Sequence, residues 1–342
     1  MVSLKIFRLM AAVSAALALA FIPVGSASAA NSPNGEENTW HQNNLPDGEQ
    51  IRSNNSVYHE ARNGPGDSLL LQVWSANDST GAMWAAYSTS GRTGSPVRMN
   101  FPPGVTGVFG WPTVAASSAA SFQIAFTATN GSIYRATYNA NTAPYNNLAD
   151  LQWASTYQLS TQPPSLYQAG TDSAFVGMVW VAANPSRNIL YARYDSAGGW
   201  SASQNLGGQT YYPPAIGWEN GTFLVTHTGD DGQVYINEIL APSGPNNWIG
   251  WRSTGTQVFA EGPAVAASND GNILLANVSV SGVVSYDELN PELDSVTAGW
   301  VADNNNEHTT EPVAESSNGS NVFVLSNLDN QAYGWYKGFY DL

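Results

Sequence analysis

After the first thirty residues, hydrophobic and polar positions alternate in short runs instead of recurring at helical spacing. Two examples are residues 222–227 and 233–239, and such runs are bounded by glycine, asparagine and aspartate. No window of a dozen residues in this part of the chain keeps apolar positions three and four apart. The pattern therefore predicts an all-β protein made of short strands and tight turns.

One arrangement of predicted strands recurs along the chain. Each unit has a proline, a short run of small residues, a hydrophobic run, a hairpin turn and an aromatic run. The anchoring residues are Pro112, Pro164, Pro214, Pro263 and Pro312, which lie 52, 50, 49 and 49 residues apart. A sixth copy without the proline begins at Ser56. A repeat of about fifty residues with four strands is typical of a propeller blade.

Tryptophans mark the predicted fourth strand of the units. Trp153, Trp200, Trp251 and Trp300 precede the next anchoring proline by 11, 14, 12 and 12 residues. The last unit stops after its third strand, and the segment around Trp40 offers an unpaired strand. We therefore predict a single domain over residues 30–342, a six-bladed β-propeller with four antiparallel strands per blade. The N-terminal strand would close the last blade and leave no sheet edge open in the ring.

Residues 1–29 are predicted to be a signal peptide. Lys5 and Arg8 precede an apolar run over residues 9–24, and Ala27-Ser28-Ala29 matches a signal-peptidase site. The run is short for the roughly 20 apolar residues that cross a bilayer. We expect a secreted, extracellular protein without membrane insertion.

Charge and composition narrow the function classes. Loss of the signal peptide would leave 9 Lys+Arg against 26 Asp+Glu, a formal charge of −17. An acidic surface repels phosphate, so we expect no nucleic-acid partner. The chain has no cysteine, which excludes disulfides and thiolate chemistry. Its 4 histidines have no zinc-ligand spacing, and we predict neither a metal site nor a cofactor.

One repeat resembles a known family. Trp200-Ser201, Asn205-Leu206-Gly207-Gly208 and Pro213-Pro214, followed by Gly221 and Gly232-Gln233-Val234-Tyr235, resemble the repeat of secreted bacterial β-propeller lectins. The length and six-fold repeat more distantly resemble the fungal fucose-binding lectins. Both resemblances imply sugar sites in clefts between neighbouring blades. The arginine and glutamate that the fungal resemblance requires in the second and third strands are not repeated here, so a fucose pocket of that type is not expected.

A saccharide site needs an aromatic face for the C–H side of the ring and amide or carboxylate groups for its hydroxyls. The residues that fit this requirement are Trp153, Trp200, Trp251, Trp300, Tyr167, Tyr191, Tyr211, Tyr212, Trp218, Asn205 and Asn220. Several similar clefts would suit multivalent binding to glycans or polysaccharide. The alternative interpretation of the tryptophans is structural, as wedges between blades. Nothing in the sequence predicts the oligomeric state.

Two further functions stay open. A propeller glycoside hydrolase, sialidase-like or another glycosidase, would use carboxylates on inner strands, for which Glu60 and Glu315 are candidates with His59 and Glu219. Against it, the sequence lacks the repeated Asp-box motif of sialidases, and solvated loop charge explains the same acids. A protein-binding propeller would present one unsymmetrical face to its partner.

Overall fold

The strands that the sequence predicts are present in the computed structural model, which describes residues 41–42, 59–62, 68–76, 81–89, 92–93, 96–118, 121–140, 145–169, 175–219, 221–240, 247–267, 272–289, 299–303, 309, 314–317, 321–326 and 335–340. All of these residues belong to the unit Ser32–Leu342. For residues 41–42, 59–62, 68–70, 87–89, 92–93, 145–146 and 314–340 the description is limited to the backbone of the residues just given.

The described strands form six antiparallel sheets. In chain order they are β1 (His41–Gln42); β2 (His59–Arg62), β3 (Ser68–Ser75), β4 (Met83–Thr89), β5 (Arg92–Thr93) and β6 (Val97–Met99) of sheet 1; β7 (Thr113–Ser118), β8 (Ser121–Thr127), β9 (Ser132–Asn139) and β10 (Ala154–Leu159) of sheet 2; β11 (Ser165–Gln168), β12 (Phe175–Val181), β13 (Asn188–Asp195), β14 (Gly199–Trp200) and β15 (Gln204–Gln209) of sheet 3; β16 (Ala215–Glu219), β17 (Thr222–Thr228), β18 (Val234–Leu240) and β19 (Arg252–Ser253) of sheet 4; β20 (Ala264–Ala267), β21 (Ile273–Val278), β22 (Val284–Leu289) and β23 (Val301–Ala302) of sheet 5; and β24 (Ala314–Ser317), β25 (Asn321–Ser326) and β26 (Trp335–Tyr340) of sheet 6. A 3-10 helix spans Tyr145–Leu148.

Sheets 2, 4 and 5 are four-stranded, and in sheets 1 and 3 the outer position is shared by two strands. The strand order of sheet 6 is β1-β26-β25-β24, with His41 opposite Tyr336 and Gln42 opposite Trp335. The N-terminal strand therefore lies beside the last strand, as the sequence pattern predicts. Trp40, which led to that prediction, lies outside the described residues. The all-β class and the four-stranded unit are confirmed.

The hydrophobic core lies between successive sheets. The first strands β2, β7, β11, β16, β20 and β24 each contact the next in this order, so we call them the inner strands. Ala115, Ala116, Ala266 and Ala267 lie on inner strands and are buried, and their small side chains fit positions where strands crowd together. Gly177 on β12 shows how closely sheets 3 and 4 approach, because a Cβ there would lie 2.5 Å from Ile216.

The segments that cross from one sheet to the next are tied to both. The N–H of Ser160 donates to the carbonyl of hairpin residue Gly131 in sheet 2, and the N–H of Thr161 donates to Val181 in sheet 3. The hairpins turn through a residue of positive φ. Gly131, Gly232 and Gly282 adopt φ of 85°, 78° and 86°, where glycine has no steric cost.

Candidate functional site

A cleft of about 240 Å³ opens between the outer strands of sheets 1 and 2. Residues 100–103 line one side and residues 150–153 the other. The amide of Asn100 donates to the Asp150 carboxylate over 2.6 Å, and both side chains are exposed. Gln152 is also exposed and lies beside Trp153. The cleft thus combines an indole with carboxylate and amide groups, which are the chemical groups that a saccharide site requires.

Trp153 joins the two walls of this cleft. Its indole N–H donates to the carbonyl of Asn100 in the preceding sheet over 2.8 Å. Its ring meets Phe126 edge-on at a centroid distance of 4.9 Å, above the core between sheets 1 and 2. The indole is therefore both a wall of the cleft and a structural contact between sheets.

Trp251 makes the same kind of contact between sheets 3 and 4. Its indole N–H donates to the carbonyl of Leu206 over 2.9 Å, and its ring lies edge-on to His227 at 4.2 Å. A Cβ on Gly208 would come within 3.0 Å of this indole, so the glycine gives the ring its space. Burial lowers the pKa of His227 to about 4, although Asp231 and Asp230 oppose the shift.

Trp300 repeats the contact between sheets 4 and 5. Its indole N–H donates to the hydroxyl of Thr254 over 3.2 Å, and its ring packs on Phe259 at 4.3 Å. Asp287 is 1% exposed on the neighbouring strand. Burial raises the pKa of Asp287 to about 7, the negative charge of Glu288 adds to the shift, and a backbone interaction with Glu288 opposes it. We call Trp153, Trp251 and Trp300 the bridging tryptophans.

The strand register explains why Trp200 is not a fourth bridging tryptophan. In sheets 2, 4 and 5 the fourth residue after the hairpin glycine is Arg135, Ile236 or Tyr286. Each of these residues pairs with a residue of the outer strand, and the bridging tryptophan directly precedes that partner. In sheet 3 the corresponding residue, Tyr191, pairs with Gln204, so Ser203 occupies the tryptophan position. The spacing to the next proline predicts that Trp200 is equivalent to the other three tryptophans, and the register shows that this prediction is wrong.

Trp200 lies instead on β14, opposite Tyr194. Its ring packs against Tyr194 at 5.6 Å, and the Arg135 guanidinium of sheet 2 lies 4.9 Å from its ring centroid. Burial lowers the pKa of Arg135. The junction of sheets 2 and 3 thus contains an arginine and a tryptophan where three other junctions contain a bridging tryptophan.

Tyr157 lies on the outer strand of sheet 2, the sheet that carries Arg135. It is 92% exposed, on a bulge of β10, and its φ is 57°. The register places Gly207 and Gly255 at the corresponding positions of sheets 3 and 4, with φ of 70° and 149°. A tyrosine in the left-handed region carries a steric cost that glycine avoids, so this exposed ring is presented by a strained backbone.

A second cluster lies where the chain crosses from sheet 3 to sheet 4. Arg187, at φ 48°, occupies the hairpin position that is glycine in sheets 2, 4 and 5. Its guanidinium lies 3.3 Å from the ring centroid of Tyr211 and makes two hydrogen bonds with Asp230, of 3.0 and 2.8 Å. Tyr211 is 61% exposed, whereas Tyr212 beside it is half-buried. Burial, with Glu261 and Asp230, raises the pKa of Tyr212.

Three of the predicted aromatic residues lie on strands and pack against the core between sheets 3 and 4. Tyr167 and Trp218 lie on inner strands β11 and β16 and pack, half-buried, on the core between sheets 3 and 4. Each follows an anchoring proline, Pro164 or Pro214, and stands on the inner strand that begins after it. Tyr191 is 4% exposed, packs against Phe223 at 5.9 Å and has a pKa raised by burial. It is a core residue, because its side chain faces the neighbouring sheet.

The polar candidates have varied positions. Asn205 is exposed, and its side-chain oxygen accepts the N–H of Gly207 over 2.8 Å in a local turn. Asn220 lies outside the described residues. Glu60 and His59 are on inner strand β2 and Glu315 is on inner strand β24, as predicted, with only their backbones described. Glu219 is buried at the end of β16.

Sequence reasoning missed Asn100, Asp150, Gln152, Arg135 and Tyr157. The first three come together only because the ends of two outer strands meet, which a repeat comparison does not reveal. Within the described ranges, no group of three histidine, aspartate or glutamate side chains is arranged to hold a metal ion. The part of the chain that the structure describes contains no helix long and apolar enough to cross a membrane.

Comparisons with known proteins agree on the fold. No family model and no curated protein sequence matches the chain. A lectin from Burkholderia pseudomallei has a similar structure, with a TM-score of 0.59 at 14% identity over 84% of this chain and 81% of the lectin. The six-bladed β-propeller lectin of Aleuria aurantia is similar at a TM-score of 0.53 and 13% identity, over 82% of this chain and 90% of the lectin.

An enzyme is among the similar structures as well. The α-L-arabinanase of Penicillium chrysogenum, solved with arabinobiose, has a TM-score of 0.54 at 11% identity, over 88% of this chain and 98% of the enzyme. At these identities the likeness shows the β-propeller fold, which lectins and glycosidases share. The choice between them depends on the site residues.

Proposed function

We propose that this chain is a secreted, non-catalytic lectin, a closed six-bladed β-propeller that binds glycans in clefts between its sheets. The cleft between sheets 1 and 2 carries the proposal. There, the Trp153 indole lies beside Asn100, Asp150 and Gln152, whose exposed polar groups can meet sugar hydroxyls. Pairing of β1 with β26 supports closure of the ring, because it joins the two ends of the unit in one sheet.

Repetition supports several sites. Bridging tryptophans recur at the junctions of sheets 1 and 2, 3 and 4, and 4 and 5, so similar walls face each other at each. Weak sites at repeated junctions gain avidity for a polymeric glycan through effective concentration. The similar lectins of known structure show that this fold is used for sugar binding in other proteins.

The first test is a glycan array with the chain from residue 30, followed by titration calorimetry of the best neutral ligand. Asp150→Asn and Gln152→Ala should each weaken binding at this cleft by about tenfold, the effect of one lost hydrogen bond to a ligand of roughly 1–1.5 kcal/mol. Both side chains are exposed, so the fold should be preserved. Gln209→Ala is the matched control, since Gln209 is an exposed outer-strand glutamine that does not line this cleft.

A folded protein that binds no glycan would contradict the proposal, as would unchanged affinity in both cleft variants. The hydrolase alternative is tested in the same samples, because new reducing ends released from arabinan or from the bound glycan would reveal catalysis. Activity that disappears in Glu60→Gln or Glu315→Gln would favour the hydrolase, whose carboxylates would lie on inner strands.

A further inference from the structure

Arg135 is unusual among the arginines whose side chains the structure describes. Arg187 pairs with Asp230, and Arg252 pairs with Glu238. Arg135 is half-buried, yet its guanidinium makes neither a hydrogen bond nor an ion pair with any other residue that the structure describes, and burial is the one cause of its lowered pKa. Its described contact is with the Trp200 ring. Five N–H donors are therefore left for solvent or a ligand.

The surroundings of Arg135 leave space for a ligand. Its strand neighbours across the sheet are Ala125 and Ala154, which are too small to cover the guanidinium. On the facing sheet, Trp200 and Tyr194 form an aromatic pair that is only partly buried. The position that a bridging tryptophan fills in three other sheets holds the exposed Ser203. Among the four junctions at Trp153, Trp200, Trp251 and Trp300, the junction of sheets 2 and 3 therefore lacks a bridging tryptophan.

The missing counter-charge is notable in this chain. Acidic residues outnumber basic ones by 26 to 11, a formal charge of −15. Asp230 and Glu238 pair with two other arginines. No described carboxylate pairs with Arg135. Burying part of an unpaired cation is unfavourable, and an external carboxylate with two oxygens would match the guanidinium and remove that cost.

We propose that the junction of sheets 2 and 3 is a site for a carboxylate-bearing saccharide, such as a uronic or sialic acid. Arg135 binds the carboxylate, and Trp200 with Tyr194 provides the aromatic surface for the sugar ring. The proposal rests on the proposed glycan-binding function and adds a ligand class and a second kind of site. It differs from the cleft at Trp153, which presents no described arginine and suits neutral hydroxyls.

The test compares methyl glycosides of glucuronic, galacturonic and N-acetylneuraminic acid with methyl β-glucoside, using titration calorimetry at low salt. At least one acidic glycoside should bind the wild-type chain at least tenfold more tightly than the neutral one. Its affinity should fall at least tenfold in Arg135→Gln and also fall as sodium chloride is added. Arg98→Gln, which removes the same charge from an exposed strand position, should bind like the wild type.

Thermal unfolding of each variant verifies that it is folded, and Arg135→Lys supplies a second variant that keeps the charge but loses the planar fork. Equal affinity for acidic and neutral glycosides, or binding unchanged in Arg135→Gln, would overturn the proposal. Acetate that binds as tightly as the acidic glycosides would overturn it as well, since the site would then hold an adventitious ion only.

The Asp150→Asn variant separates this result from that of the proposed function. If the protein binds neutral glycans at the Trp153 cleft and binds acidic glycosides no more tightly, only the acidic site is refuted. Acidic glycosides that need Arg135 but not Asp150 support the acidic site independently of that cleft. No binding of either class refutes both.

Discussion

The junction of sheets 3 and 4 and the junction of sheets 2 and 3 are built from the same repeat but end differently. In the first, Trp251 packs on His227 and donates to Leu206, so the indole is committed to joining the sheets. In the second, Ser203 occupies the corresponding position, and Trp200 lies on β14 beside Arg135. The indole N–H of Trp200 makes no hydrogen bond with a described residue of the preceding sheet.

This difference separates two roles that one tryptophan pattern suggests. A tryptophan whose N–H is bonded to the neighbouring sheet stabilises the junction and can also form a wall of a cleft, whereas one held by ring contacts keeps its N–H for a ligand. A repeat protein can therefore keep one framework at its junctions and vary the residues around it for recognition, because each unit packs only against its neighbours.

The largest expected effect is on stability at the two tryptophans themselves. Trp251→Ala should lower the free energy of unfolding by about 3–5 kcal/mol, since it removes a large ring from the sheet interface and a part-buried hydrogen bond to Leu206. Trp200→Ala should cost about 1–2 kcal/mol, mostly from lost contacts with Tyr194 and Arg135. Urea unfolding followed by far-ultraviolet circular dichroism measures both. Equal losses would show that the bond to Leu206 does not distinguish the two junctions.

Buried ionisable groups behind two bridging tryptophans give the next effect. The folded pKa of His227 is about 4, below its ordinary 6.5, so the unfolded chain binds more protons and His227 lowers stability as pH falls from 6.5 to 4. The folded pKa of Asp287 is about 7, above its ordinary 3.8, so its contribution to stability is lost as pH rises through that interval. The two contributions oppose each other around pH 4–6.5.

Asp287→Asn should remove the contribution of Asp287 and leave that of His227, so the variant separates the two pH dependences. Relative to the wild type, the variant should gain roughly 3–4 kcal/mol of stability between pH 4 and pH 7.5, because the pKa of Asp287 is raised from 3.8 to about 7 and a shift of one pKa unit corresponds to about 1.4 kcal/mol. His227→Gln should change the pH dependence in the other direction. Urea unfolding across this pH range measures the differences. A constant difference between Asp287→Asn and the wild type would mean that Asp287 titrates normally in the fold.

The smallest expected effect concerns Tyr157, on the outer strand of the sheet that carries Arg135. Tyr157→Gly should leave the free energy of unfolding unchanged or raise it by up to about 1 kcal/mol, because glycine relieves the positive φ and little contact is lost from an exposed ring. Gly207→Ala, the reciprocal control at the corresponding position, should cost about 1 kcal/mol. If Tyr157→Gly is also as competent in glycan binding as the wild type, the exposed ring has no role in recognition. A loss of more than about 1 kcal/mol in Tyr157→Gly would instead show that the side chain supports the bulge.

Much of the fold follows from local patterns. The alternation around residues 222–227, the glycine hairpins and the regular proline spacing depend on interactions between residues near each other in the chain, so a repeat of one sheet is readable directly. The site is less readable. Asn100 and Asp150 are 50 residues apart and meet only through strand packing. Trp200 lies three residues before Ser203, the position equivalent to a bridging tryptophan. Its spacing to the next proline is similar to that of the other three tryptophans, so the sequence does not reveal this difference.

The sequence by itself determined the all-β class, the four-stranded repeat, the aromatic character of the junctions and the acidic charge, because strand alternation, turn chemistry and composition are local or additive properties. Only the tertiary structure decided which tryptophans bridge sheets, that Tyr191 is core, and that Arg135 has no carboxylate partner among the described residues. These outcomes depend on register and on the approach of residues from different sheets. A shift in register moves a side chain from one environment to another without changing the pattern that predicts its strand.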